Sequence, residues 1–182
     1  MTTLTTAQEA LETGTWQLDP THSRLGFAVD YLAGTFHGTF SSFAATLEVD
    51  GSGSGTLHGK ARVESVQVAD ENLGAHLLSP EFFDAEQAPE ITFVSSPFKP
   101  AGTDVVVDGT LTIKGASLPV QLVGTMGGPI VDPYGGQRIN LQLEAGIDRS
   151  SFGIDWNTPL PSGKPALAKD VTLTAELALV KE

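Results

Sequence analysis

An aspartate, a histidine and a serine stand close together near the start of the chain, in the stretch DPTHS at residues 19–23. These are the residue types of a hydrolase triad, in which a histidine takes a proton from a serine and a carboxylate orients the imidazole. A triad needs converging side chains, but Pro20 imposes an extended or turn geometry, and His22 and Ser23 point to opposite faces once a strand begins. The stretch therefore predicts a turn in which Asp19 and Ser23 bond to the main chain and His22 anchors the turn by hydrogen bonding.

The other residues that could do chemistry show no catalytic or metal-binding pattern. His37, His58 and His76 do not form a metal-ligand spacing with one another or with His22, so no metal site is predicted, although spacing does not test a site assembled from distant segments. The chain has no cysteine, which excludes disulfides and thiolate catalysis. We predict no catalytic residue and no cofactor.

Charge and hydropathy restrict the partners of the protein. The formal net charge of −12 repels phosphate backbones, so nucleic acid is not expected to bind. No apolar run approaches the roughly 20 residues of a membrane-spanning helix. The first fifteen residues lack the basic and apolar regions of a secretory signal, which favours a cytoplasmic location.

The elements that must position any site are mostly strands. Beyond Gly14, apolar and polar residues alternate with the two-residue period of half-buried strands, in about eight segments. One stretch breaks the alternation, because Leu73, Leu77 and Leu78 are spaced like one helical face that Pro80 limits. The pattern predicts an all-β fold, either a sandwich or an eight-stranded antiparallel up-and-down barrel, with a short helical insertion after the third or fourth strand. Residues 1–15 are predicted to be an N-terminal extension, either disordered or with a short helix at residues 7–12, and residues 16–182 are predicted to be the barrel domain.

The alternate strand positions that are expected to face the interior carry both large and small residues. Gly38, Gly59, Ala61, Gly109 and Ala145 share these positions with phenylalanines and leucines. Because protein interiors are normally close-packed, the small residues indicate either an apolar channel or strand bends in a filled core. Two other glycine clusters, at residues 127–129 and 135–136, are predicted to lie in hairpin turns.

Four motifs in order give the chain a family resemblance. The stretches are WQLDPTHSRLGFAV, HLLSPEFFDAEQAPEITFVS, VDGTLTIKGASLPVQL and GIDRSSFGIDWN. They resemble the YceI-like family of polyisoprenoid-binding, lipocalin-like barrels. The resemblance that they support covers Trp16 to about Val180. The resemblance implies an eight-stranded antiparallel barrel, a helix over one side, a long isoprenoid or fatty chain in an apolar tunnel, and a homodimer.

These observations lead to a functional expectation. We expect non-enzymatic binding, carriage or sequestration of a long-chain apolar lipid in the barrel. The alternatives are an enzyme of the isomerase or cyclase type acting on an apolar substrate, and a filled barrel used for protein contact in stress protection. The candidate headgroup residues are His22, Tyr31 and Arg149, although a structural role is favoured for Arg149. The candidate lipid-binding residues are Phe27, Val29, Phe36, Phe40, Phe93, Leu111, Ile113, Leu122, Leu141, Leu143, Phe152 and Trp156.

Overall fold

The main chain is organised as one antiparallel sheet that closes on itself. A computed structural model describes residues 11–182, and within this range the chain forms eleven strands and one α-helix, α1 (Glu71–Leu78). Short 3-10 turns occupy Pro20–His22, Val63–Ser65 and Arg149–Phe152. The strands are β1 (Gly14–Leu18), β2 (Arg24–Tyr31), β3 (Gly34–Phe40), β4 (Phe43–Val49), β5 (Gly55–Arg62), β6 (Val66–Gln67), β7 (Glu90–Ser95), β8 (Asp104–Ile113), β9 (Ala116–Val131), β10 (Gln137–Asp148) and β11 (Leu167–Lys181).

Three pairs of these strands are halves of longer, bent strands. β1 pairs with β4 and with the end of β11, and β2 pairs with β3 and with the beginning of β11. The bent strands β1–β2, β3–β4 and β5–β6 are followed by β7 to β11, and β11 closes the ring against β1–β2. The fold is therefore an eight-stranded antiparallel up-and-down barrel, as predicted, and the choice between sandwich and barrel is settled by this closure.

The predicted helix follows the third long strand. The side chain of Asp70 accepts a hydrogen bond from the Leu73 amide (3.0 Å) and so caps the first turn of α1, as expected for an aspartate at this position. Leu77 is buried, whereas Leu73 and Leu78 are half-buried. No helix in the described part of the chain is both long enough and apolar enough to cross a membrane.

One end of the barrel interior is solidly packed. Trp16 is completely buried, and its indole nitrogen donates to the Glu12 carbonyl at 3.3 Å. We call this region the plugged end. Side chains with less than 2% exposure that fill it are Trp16, Leu47, Val105, Val107, Leu141 and Leu179.

One detail of the predicted organisation needs correction, and another lies outside the described residues. Residues 7–10 of the predicted helix are not described, whereas Leu11, in the predicted N-terminal extension, packs in the core. The glycine-rich residues 127–129 lie inside β9 and not in a hairpin turn, at an irregularity in its pairing with β10. The hairpin turn comes later, where Asp132 and Gly136 are bonded through their main chains.

The DPTHS stretch forms the bend between β1 and β2. Asp19 accepts hydrogen bonds from the Thr21 amide (3.0 Å), His22 Nδ1 (2.7 Å) and Arg138 (2.9 Å). The Ser23 hydroxyl donates to the Asp19 carbonyl at 2.7 Å and accepts from the Ala178 amide at 2.9 Å. Because Ser23 is bonded to main-chain groups and the His22 side chain is 69% exposed, the predicted turn is confirmed and a hydrolase triad is not formed.

Ion pairs also connect the bend to the hairpin formed by β9 and β10. Arg138 donates to Asp19 and, through Nε at 2.7 Å, to Asp132. Hydrogen bonds from His22 and Arg138 lower the pKa of Asp19 to about 2. A carboxylate with a lowered folded pKa stabilises the fold above its ordinary pKa and loses this effect as the pH falls through the folded pKa.

We predict that Asp19→Asn lowers the melting temperature near pH 6 by about 2–4 °C, which corresponds to about 1 kcal/mol in a chain of this size. The difference from the parent protein should shrink as the pH falls from about 5 towards 2, because the parent carboxylate is then being protonated. Thermal unfolding followed by circular dichroism measures both values. Asp170→Asn, which removes an exposed carboxylate outside this network, is the control, and a pH-independent difference for Asp19→Asn would contradict the assignment.

Candidate ligand cavity

Beyond the plugged end, the barrel interior is hollow. A cavity of about 300 Å³ extends from Leu57 and Leu177 towards α1. Inward-facing residues of this half, such as Phe27, Phe36 and Leu173, are only half-buried, because they face the cavity and not another side chain. The interior of an eight-stranded barrel is wide enough either to be filled by side chains or to hold one small ligand, and this barrel does both, in different halves.

Most of the predicted lipid-binding residues line this cavity. The exception is Leu141, which is 1% exposed and belongs to the plugged end. Leu141 points into the barrel like the lining residues. It lies near the beginning of β10, at the plugged end, and does not reach the hollow half. The eleven predicted residues in the cavity wall are Phe27, Val29, Phe36, Phe40, Phe93, Leu111, Ile113, Leu122, Leu143, Phe152 and Trp156.

The three candidate headgroup residues are not brought together. Tyr31 and Arg149 both line the cavity, and Tyr31 is 38% exposed at the end of β2. His22 does not line the cavity and lies instead in the bend between β1 and β2. The prediction that His22 contacts a headgroup used its position just before the first cavity-lining strand in the sequence. In the structure, its imidazole is bonded to Asp19 instead.

The inward glycines have two different roles. A Cβ atom on Gly38 would lie 2.4 Å from the ring of Phe27, and one on Gly109 would lie 2.5 Å from the ring of Phe93. At these two positions the aromatic rings occupy the space above the glycine. Gly59 and Ala61, in contrast, line the cavity itself, so these two inward residues leave open space in front of them.

Two segments cover the cavity at the α1 end: residues 63–89, which carry α1, and residues 149–166. Both contribute aromatic side chains to this cover. Trp156 and Phe82 each contact the imidazole of His76 edge-on, with ring centroids 5.1 and 4.8 Å away. The imidazole Nε2 of His76 is bonded to the carboxylate of Glu81. Phe83 contacts Phe27 with a centroid distance of 6.3 Å. Leu73, His76, Leu77, Phe82 and Phe83 all line the cavity, but sequence reasoning did not include them among the ligand contacts, although the FF pair next to the predicted helix was a usable signal.

A buried arginine holds the second segment of this cover, residues 149–166. The guanidinium of Arg149 donates to the carbonyls of Ala168 (2.7 Å), Ile154 (2.9 Å), Trp156 (2.8 Å) and Leu167 (3.2 Å). Burial lowers the pKa of Arg149, and the four carbonyl dipoles compensate in part for the lost solvation. This arrangement supports a structural role for Arg149, since its hydrogen bonds go to main-chain carbonyls.

A lysine joins the two covering segments. Lys114 and Gly115 form the two-residue turn between β8 and β9, and both have positive φ angles, 52° and 77°, as in the type I′ turns that match the twist of a hairpin. The turn places the ammonium of Lys114 where it donates to the carbonyls of Pro80 (2.6 Å) and Gly153 (3.2 Å). The cover therefore has a hydrogen-bonded connection between the segment that carries α1 and the segment that carries Arg149.

The geometry defines a class of protein: an antiparallel barrel with one plugged end and an apolar cavity at the other. Within residues 11–182, no cluster of three or more histidine, aspartate or glutamate residues is placed to hold a metal ion. The model of the YceI-like domain matches residues 16–179, and the chain belongs to the YceI-like family.

Individual relatives agree with this assignment. The chain is 29% identical over 136 residues to Protein YceI of Salmonella newport (strain SL254), covering 73% of this chain and 71% of the relative. Among solved structures, Burkholderia cenocepacia BcnA has a TM-score of 0.76 at 24% identity, with 88% of this chain and 98% of BcnA covered. A polyisoprenoid binding domain from Saccharophagus degradans has a TM-score of 0.67 at 15% identity, with coverage of 92% and 98%. These two structures show the fold.

The glycine geometry predicts opposite outcomes for two similar substitutions. Gly38→Ala should destabilise the protein by about 1–3 kcal/mol, because the new methyl group displaces the Phe27 ring. Gly59→Ala should be neutral or stabilise by up to about 1 kcal/mol, since its Cβ meets only the Cβ of Phe93, 3.9 Å away. Denaturant unfolding measures both. Adding Phe27→Leu to Gly38→Ala should recover part of the loss, and equal stabilities of the two alanine variants would contradict the assignment.

The hydrogen bonds of Arg149 make a second prediction. Arg149→Lys should destabilise the protein by about 3 kcal/mol, because an ammonium group does not reproduce the planar fork and leaves buried carbonyls without donors. Arg24→Lys, on the exposed side of β2, is the matched control and should change stability by less than about 0.5 kcal/mol. Similar unfolding midpoints for the two variants would show that the carbonyl contacts contribute little.

Proposed function

We propose that the protein binds a long-chain apolar lipid and carries or sequesters it with the chain in the barrel cavity. The observation that supports this most directly is the cavity of about 300 Å³ with a wall of phenylalanine, leucine, isoleucine and valine side chains. Burial of a hydrocarbon chain contributes about 0.8 kcal/mol for each CH₂ group. Such a cavity therefore binds a chain without any charged contact.

The chain is proposed to enter at the α1 end. The other end is closed by Trp16, Leu47 and Leu179, which are completely buried. A ligand in this arrangement lies with its tail against the plugged end and its headgroup near Tyr31, His76 and the aromatic cover. The length of the cavity between the plug and the cover then sets the length of tail that is buried.

The relatives favour an isoprenoid or fatty chain as the ligand. The Saccharophagus degradans domain is described as a polyisoprenoid binding domain, and the family of this chain is shown over residues 16–179. The cavity wall provides apolar surface and few polar groups, which suits a branched or linear hydrocarbon equally. We therefore propose a long-chain isoprenoid or fatty lipid and leave its chain length to experiment.

A non-enzymatic role is favoured over the isomerase or cyclase alternative. Catalysis on an apolar substrate needs a polar group that is free to exchange a proton with it. Of the polar residues considered for such a role, His22 does not line the cavity, and the guanidinium of Arg149 is bonded to four main-chain carbonyls. Within the described residues, the cavity wall contains no aspartate or glutamate. The third alternative, a filled barrel, requires an interior without a cavity and so conflicts with the hollow half.

Lipid that copurifies with the protein tests the proposal directly. Native mass spectrometry of freshly purified protein should show a bound small molecule, and an organic extract should contain a long-chain apolar compound. Delipidated protein should then bind uncharged long-chain fluorescent probes. An empty protein that also takes up no member of a panel of isoprenoid and fatty compounds would contradict the proposal.

A cavity-filling variant tests where the lipid binds. Gly59→Leu inserts an isobutyl group into the cavity from the inner face of β5 and should weaken probe binding at least tenfold while leaving the unfolding midpoint similar or higher. Gly146→Leu adds the same group at an exposed position of β10, where no atom lies within 4 Å of the new Cβ, and should bind like the parent. Unchanged binding by Gly59→Leu would place the ligand outside the cavity.

Two further expectations stay predictions. The homodimer implied by the family resemblance is tested by light scattering coupled to size-exclusion chromatography, in which a mass near 38 kDa (twice the 19.0 kDa chain) is expected. The cytoplasmic location is tested by fractionation of cells that produce the protein.

A further inference from the structure

The cover of the cavity is strongly acidic. Residues 63–89, which connect β5 to β7 and carry α1, contain six carboxylates and neither lysine nor arginine. Residues 149–166 add Asp155, Arg149 and Lys164, so that the two covering segments hold seven carboxylates against two cations. The six carboxylates of residues 63–89 are Glu64, Asp70, Glu71, Glu81, Asp84 and Glu86.

One of these carboxylates lies directly beside the cavity. Glu81 is bonded to the imidazole of His76, and His76 lines the cavity between the rings of Phe82 and Trp156. At an ionic strength of 0.1 M, charges act over about 10 Å. A headgroup at this end therefore experiences the negative potential of the cover.

The two cations that reach the covering segments from inside the fold are already bonded. Arg149 is 5% exposed and donates to four main-chain carbonyls, with distances of 2.7–3.2 Å. Lys114 donates to the carbonyls of Pro80 and Gly153. To bind an anionic headgroup, either side chain would have to give up contacts that hold the cover in place.

Exposed cations on the adjacent strands are balanced by their neighbours. Lys60 also lines the cavity, but its ammonium group pairs with Glu90 at 2.9 Å. Arg62 pairs with Glu64. Tyr31, in contrast, is a cavity-lining residue whose side chain carries a hydroxyl group. A hydroxyl group can donate to or accept from a neutral polar headgroup.

We infer that the cavity discriminates by headgroup charge and selects lipids whose headgroup is uncharged, such as an alcohol, phenol, ketone or ester, over those that carry a phosphate or a carboxylate. This inference rests on the proposed function, since it concerns the same cavity. Its physical basis is that a buried anion without a cationic partner loses solvation that is not replaced, in a negative potential that adds repulsion. The apolar tail supplies affinity, and the cover supplies discrimination between headgroups.

Two ligands with the same tail test the inference. Geranylgeraniol and geranylgeranyl monophosphate are compared as competitors of an uncharged long-chain fluorescent probe on delipidated protein at pH 7.5. The alcohol should bind at least tenfold more tightly than the phosphate. The ratio of the two affinities is the measured quantity, because effects on the shared tail cancel in it.

Charge variants show whether the cover causes the difference. Glu81→Gln/Asp84→Asn/Glu86→Gln removes three carboxylates from the cover and should reduce the ratio at least threefold. Glu48→Gln/Asp104→Asn/Glu182→Gln removes three exposed carboxylates near the plugged end and should leave the ratio unchanged. Equal binding of alcohol and phosphate by the parent protein, or the same ratio in both triple variants, overturns the inference while leaving lipid binding intact. Failure of both ligands to displace the probe, or of the probe to bind, contradicts the proposed function and the inference with it.

Discussion

Main-chain hydrogen bonding around a closed ring of eight strands sets the width of the interior, and the rest of the structure depends on how side chains use that width. Closure removes exposed sheet edges along the ring, but it also fixes a volume that the chain must fill or leave open. At the plugged end, Trp16 and large aliphatic residues fill it. Towards α1, Gly59 and Ala61 contribute little volume, so a cavity remains there.

The open half requires a cover, and buried side chains of the covering segments, such as Leu77, Phe82 and Phe152, pack in the hydrophobic core. Two cations add to this support, because Arg149 and Lys114 donate to main-chain carbonyls of the covering segments. Carbonyl oxygens satisfy a cation without placing a carboxylate beside it. The same arrangement withdraws both cations from ligand recognition and leaves the acidic residues of the cover to determine its potential.

Particular residues show how far prediction from sequence extended. The alternation of apolar and polar residues predicted the strands and their inward faces, and the leucine spacing with Pro80 predicted α1. Eleven of twelve proposed lining residues line the cavity, because strand phase decides which face a side chain occupies. Leu141 and His22 do not line it. The alternation of residues along a strand does not show how far along the barrel axis Leu141 lies, nor that the chain bends at His22. The lining residues in and after α1, such as Leu77, Phe82 and Phe83, were missed because helices and loops have no two-residue period.

The sequence by itself determined the local properties of this protein: which segments form strands, which faces are apolar, that one helix interrupts the strands, and that the DPTHS stretch is a bend. These depend on interactions between residues near one another in the chain. Only the tertiary structure decided whether an inward glycine leaves space for a ligand or for a phenylalanine ring, as at Gly59 and Gly38. The same holds for the bonding of Arg149 to the carbonyl of Ala168, nineteen residues away. The physical reason is that a cavity is a volume left between side chains of all eight strands, and its size depends on packing across the ring that no single segment encodes.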